Sequence, residues 1–172
     1  MNGRKRRRWK RVLIGGSFVV VLFLVLSSVL FVWPTTDAPR KVDAIVVLGG
    51  TNAALVKGLH LAAEGYAPML VISTEYPTVC RYSIPRVSVL CFRPSPATTQ
   101  GEARYVGQEA SKYHWRQIIV VPSTAQTLRA RVYFGRCYHG TALFDPAGTV
   151  GLYQVIYEWG ALAKAFTIER GC

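Results

Sequence analysis

The chain has 172 residues, 51% of them hydrophobic, with 21 Lys or Arg against 9 Asp or Glu and a net charge of +12 at pH 7. Seven of the basic residues fall in the first eleven positions, so the rest of the chain carries only +5, on Arg and Lys too scattered for the basic stripe of a nucleic-acid binder. Nucleic acid is therefore not an expected partner, and a basic surface of this size fits anionic head groups, acidic wall polymers or simple solubility.

Residues 1–11 form a basic segment and residues 12–33 an uncharged apolar run. Twenty-two residues at helical rise span ~33 Å, against a hydrocarbon core of roughly 30 Å. The excess of Arg and Lys before the run predicts a transmembrane anchor with a cytoplasmic N-terminus and everything beyond it outside the cytoplasm. A cleaved signal peptide is the rival reading. It fits poorly, because the run is long and leaves through Val29, Leu30, Phe31, Val32 and Trp33, too bulky for a small-x-small cleavage site.

A linker at 34–42 leads into one domain at 43–172, where apolar runs of strand length alternate with segments of helical period. The run 43–48 predicts a strand buried on both faces, followed by Gly49 and Gly50. Asn52 is a candidate cap for a helix that places Leu55, Leu59 and Ala62 on one stripe and stops at Gly65. Further strands are expected at 69–72 and 87–92, joined by a loop or short helical turn because Pro77 and Pro85 interrupt the segment between them. The Thr99 to Glu102 spacing spells a capping box for a helix to about Tyr113. A strand at 117–121 precedes a helix capped by Ser123 or Thr124 and running toward Tyr138. A strand at 141–144 leads to a last helix with Val155, Ile156, Trp159, Leu162, Ala163 and Phe166 on one face. This alternation predicts an α/β fold: a Rossmann-like, doubly wound, mostly parallel sheet of about five strands.

Cys80, Cys91, Cys137 and Cys172 form an even set without a C-x-x-C pair, which disfavours structural zinc and suits an oxidising compartment. Three connectivities are open. Cys80 with Cys91 would close a short loop worth ~3 kcal/mol in the chain-entropy picture, leaving Cys137 with Cys172 to tie down the C-terminus. The alternative is a buried thiol at Cys91 and a free one at Cys172.

In open α/β sheets ligands bind beyond the carboxyl ends of the strands. That rule selects Gly49, Gly50, Thr51 and Asn52 after the first strand, Ser73, Thr74 and Glu75 after the second, Pro96 to Glu102 after the third and Ser123 to Arg129 after the fourth. The glycine pair completes neither a G-x-G-x-x-G nor a Walker pattern, so a plain strand-to-helix turn is an equal reading. No G-x-S-x-G occurs and no His follows Asp145, which excludes the Ser, Asp, His order of α/β-hydrolases. His60, His114 and His139 lack metal-ligand spacing, and no metal site is expected.

The segments DAIVVLGG (43–50), GYAPMLVIS (65–73), TTQGEA (98–103) and VPSTAQTLRA (121–130) resemble successive blocks of the YdcF-like family, which includes SanA- and ElyC-type bacterial envelope proteins. The resemblance implies a Rossmann-like fold behind one N-terminal transmembrane helix and a part in cell-envelope biogenesis, without an agreed reaction. It also raises S-adenosylmethionine as a ligand, placed third because that cofactor is cytosolic. Gly49 and Gly50 match the glycine turn, Ser73 the serine ending the second strand, Thr99 and Glu102 the T-x-x-E block, and Ser123, Arg129 and Ala130 the S-x-x-H-x-x-R-A block. Gln126 stands where the family has His, and Gln cannot act as acid or base near neutral pH. Lys57 is a poor match to the family's first-helix Arg.

Glu102 and Arg129 are thus the candidate catalytic pair. On the functional reading Arg129 grips a phosphate or carboxylate and Glu102 orients a polar group. On the structural reading Glu102 completes its capping box and Arg129 forms a salt bridge across two helix starts. The resulting expectation is a membrane protein that binds a small anionic or lipid-carrier ligand. Its alternatives are an enzyme acting on a phosphorylated precursor or nucleotide-like donor, and a non-catalytic scaffold for envelope proteins.

Overall fold

The computed structural model describes residues 3–77 and 80–172, with side chains of the first helix from Trp9 onward. The basic side chains of positions 4–8, which carry much of the orientation argument, lie outside the described side chains.

Helix α1 (Gly3–Ser27) runs into a π-helical segment, Ser28–Val32. From Trp9 to Val32 it has a mean hydropathy of 2.6, and by length and composition it could cross a membrane. Its last turns do not stand free of the domain. Phe31 is fully buried and packs with Val155 and Leu162, and with Leu128 and Val132. The segment expected as a linker is docked as well: the Asp37 carboxylate accepts from the Phe144 N–H and from Arg131, and the Arg131 guanidinium also donates to the Thr35 carbonyl.

The domain is a five-stranded sheet in the order β3-β2-β1-β4-β5, all neighbours parallel. Its strands are β1 (Ala44–Val47), β2 (Met69–Ser73), β3 (Ser88–Phe92), β4 (Gln117–Val121) and β5 (Thr141–Phe144). The central strand β1 and its neighbour β4 are the β-branched runs Ala-Ile-Val-Val and Gln-Ile-Ile-Val-Val, and all of β1 is buried, as a strand covered on both faces requires. Alternating residues serve the two faces. Ile45, Val47, Ile119 and Val121 meet α2 (Asn52–Ala63), whereas Ala44, Val46, Ile118 and Val120 meet α3 (Thr99–Tyr113) and α4 (Thr127–Cys137). Helix α5 (Leu152–Thr167) packs on α4 and on the π-helical segment.

Among the described residues, the crossover from β2 to β3 carries no α-helix. Cys80, Ile84 and Val87 from that loop cover the α2 face instead, and a disulfide ties Cys80 to Cys91 (Cα–Cα 6.2 Å). A second joins Cys137 to Cys172 (4.9 Å), so the favoured connectivity is the one present.

Several local expectations are corrected. Thr51, not Asn52, caps α2, its hydroxyl accepting from the Ala54 N–H at 3.3 Å. The buried stripe of α2 is Ala54, Gly58, Leu61 and Ala62, with Leu55 and Leu59 at its margins. Thr98, not Thr99, caps α3, accepting from the Gly101 N–H. Neither Ser123 nor Thr124 caps α4; a turn at Ser123–Gln126 precedes it, and the Thr127 hydroxyl donates back to their carbonyls. On α5 only part of the apolar face is covered, since Ile156, Ala163 and Phe166 are exposed.

Candidate functional site

Order 3-2-1-4-5 reverses direction between β1 and β4, and the loops leaving those strands part to form a crevice. A cleft of about 740 Å³ lies there, lined by residues from all four of the loops chosen from the sequence, though not by every residue of them. Gly49, Gly50, Thr51 and Asn52 come from the β1 turn, Ser73 from the end of β2, Thr99 and Glu102 from the start of α3, and Ser123, Gln126 and Arg129 from the β4 turn and α4.

The β1 turn is shaped by glycine. Gly50 has φ +123°, a conformation that a side chain would strain. At Gly49 a Cβ would stand 3.3 Å from Glu102 Oε1, so the missing side chain lets the α3 carboxyl reach the β1 backbone. Gly49 N–H donates to Glu102 Oε1 at 2.7 Å.

Glu102 is the centre of a buried polar network. Its carboxyl also meets the hydroxyls of Ser73 and Thr99. Thr99 Oγ1 accepts from Gln126 Nε2 at 2.6 Å and from Arg129 Nη1 at 2.7 Å. Burial pushes the Glu102 carboxyl above the usual carboxylate range; Ser73, Gly49, the Arg129 charge and Thr99 pull it back without cancelling that shift. A proton held in such surroundings at higher pH than usual is chemically available to a bound ligand.

Arg129 is placed differently from expectation. Its Nε and Nη2 donate to the two oxygens of Glu158 on α5, both at 2.8 Å, a bidentate and nearly buried pair. The salt bridge therefore runs from α4 to α5 and not to Glu102. Burial lowers the pKa of the guanidinium, but the Glu158 hydrogen bonds and charge outweigh this, and it is held above its ordinary value. With its fork on Glu158 and Nη1 on Thr99, Arg129 stiffens the cleft floor more than it offers an empty anion clamp. Lys57 is engaged elsewhere, with Asp145 and the Pro146 carbonyl.

Sequence reasoning missed three contributors. Arg93, just beyond β3, is exposed at the cleft and is, among the described residues, its cation without a carboxylate partner. Tyr157 and Glu158 bring α5 into the wall. Glu158 had a signal, being the one charged residue in the mostly apolar stretch from Leu152 to Ala163. Gln126, where the resemblance expects His, is buried and serves as a donor to Thr99. No family model, curated protein or solved structure matches the chain.

Proposed function

We propose that this is a YdcF-like envelope protein, held in a cell membrane by α1 with its N-terminus cytoplasmic, whose outer α/β domain binds a small anionic or lipid-carried ligand at the carboxyl edge of its sheet. One observation carries the reading: residues picked from four separate loops gather around a single cleft at the sheet's switch point, where a Rossmann-like fold offers free N–H groups to a ligand. The paired cysteines agree with an oxidising compartment. Arg93 supplies the cation for an acidic group, while the Arg129–Glu158 pair contributes no net charge.

The reading as an enzyme acting on a phosphorylated envelope precursor or nucleotide-like donor is favoured by one feature, the buried carboxyl of Glu102 with its raised pKa. It would act as the acid, with Ser73 and Thr99 orienting it.

The test is thermal unfolding of the full chain in nanodiscs with a polyprenyl phosphate, a nucleotide sugar, a sugar phosphate and S-adenosylmethionine, repeated on Arg93→Ala. A ligand at ~100 times its Kd stabilises the native state by about 2.7 kcal/mol. Stabilisation that falls in Arg93→Ala supports the cleft as an anion site. No stabilisation by any of the four refutes binding of these classes. Arg129→Ala is the poorer probe, because it strands Glu158 as a buried charge and costs ~3–5 kcal/mol of stability.

A further inference from the structure

At 3.6 residues per turn Val155, Ile156, Trp159, Leu162, Ala163 and Phe166 fall on one arc of α5. The protein covers only half of it. Val155 and Leu162 are buried against Phe31 and Trp159 is partly buried there, but Ile156 is 62% exposed and Leu152, at the start of the same arc, 76%. Tyr153 and Tyr157 beside them are also exposed. From Leu152 to Ala163 the one charged side chain, Glu158, is buried against Arg129, so the exposed surface of that stretch bears no charge. A contiguous apolar surface of this kind marks a contact.

Its continuity with α1 identifies the occupant. The Trp159 ring stacks on Phe23 (centroids 5.6 Å apart) and meets Phe31 edge-on (5.3 Å), and its indole N–H donates to Ser27 Oγ at 3.0 Å. Ser27 precedes the end of the apolar helix at Val32 by five residues, roughly 7 Å along the axis at helical rise. Helix α5 thus meets α1 below the level at which the apolar helix ends. An interfacial amphipathic helix sinks its apolar face ~5–10 Å into the boundary of head groups and acyl chains, and Tyr side chains favour that boundary.

We infer that α5 is a second membrane-contact element, seated in the outer leaflet through Leu152, Ile156, Ala163 and the flanking tyrosines. The inference rests on the reading of α1 as a membrane span. Because Tyr157 and Glu158 of the same helix line the cleft, one cleft wall then lies at head-group level. A ligand borne by a lipid reaches it without leaving the bilayer, which selects a polar head on an apolar chain over a freely diffusing solute.

Photo-crosslinking tests this on the full chain in nanodiscs of phosphatidylethanolamine and phosphatidylglycerol. p-Benzoylphenylalanine is placed singly at Val25 on α1, at Leu152 and Ile156 on α5, and at Val56, which is exposed on α2 at the other face of the sheet. Lipid adducts are then measured by mass. The expected result is adducts at positions 25, 152 and 156, several-fold above those at 56. Adducts at 25 with none above the Val56 level at 152 and 156 overturn the inference and leave the span intact. Absence of adducts at 25 removes the span itself, and the inference with it.

Discussion

At the scale of single residues, Glu102 shows how burial and hydrogen bonding compete. Three donors surround the carboxyl, yet removal from water dominates and raises its pKa. A raised carboxyl pKa means that the native state holds the proton longer than the unfolded chain does. Its contribution to stability is complete below the unfolded value of ~4.3 and is lost as pH rises through the folded one. Glu102→Gln keeps an oxygen for the Gly49 N–H but does not ionise. Wild type and variant should therefore differ least in acid, and the variant should gain on wild type as pH rises, measured as unfolding free energies across that range. The reverse trend would show that the donors hold Glu102 as a carboxylate. The sequence pointed to Glu102 by position after a strand, but not to its surroundings. Thr98 and Thr99 are equivalent as caps by composition, and the choice is decided by Gln126 and Arg129, which claim the Thr99 hydroxyl from 27 and 30 residues away.

At the scale of elements, β-branched runs and helical periodicity made the strands legible almost to the residue, because a parallel strand covered on both faces admits little else. What covers a helix was less legible. The α5 arc is periodic in the sequence, but the pattern does not say which half meets protein, and the Arg129–Glu158 pair joins two helices whose proximity no local rule states. Close helix contacts are similar. A Cβ on Gly107 of α3 would stand 2.1 Å from the Cys137 carbonyl oxygen, and Cys137 is tied by its disulfide to Cys172. Gly107→Ala should therefore force α3 and α4 apart and cost about 1–3 kcal/mol despite the better helix propensity of Ala. Gly135 on α4 is exposed with nothing near its Cβ position, so Gly135→Ala should gain up to ~1 kcal/mol. Denaturant midpoints of the two variants check both signs. Equal effects would mean that the α3–α4 contact yields freely.

At the scale of the whole molecule, the N-terminal apolar helix and the α/β domain share a core. Phe31 has no exposed surface and fills a groove between α4 and α5, and α5 in turn holds Glu158 against Arg129 at the cleft. A leash would leave the domain's stability indifferent to that helix; a shared core makes the last turns of the helix part of the fold. Phe31→Ala should then cost about 3–5 kcal/mol in unfolding of the full chain, lowering the Tm by roughly 10 °C or more for a domain of this size. Val29, exposed on the same π-helical segment, provides the control, and Val29→Ala should stay within about 0.5 kcal/mol of wild type. Thermal unfolding of both variants in the same nanodiscs separates the two pictures. If Phe31→Ala is as mild as Val29→Ala, the domain hangs from its anchor independently and the seating of α5 cannot be fixed by α1. If Phe31→Ala alone is severe, a domain cut free at Trp33 lacks part of its core, and its ligand binding would not represent that of the intact protein.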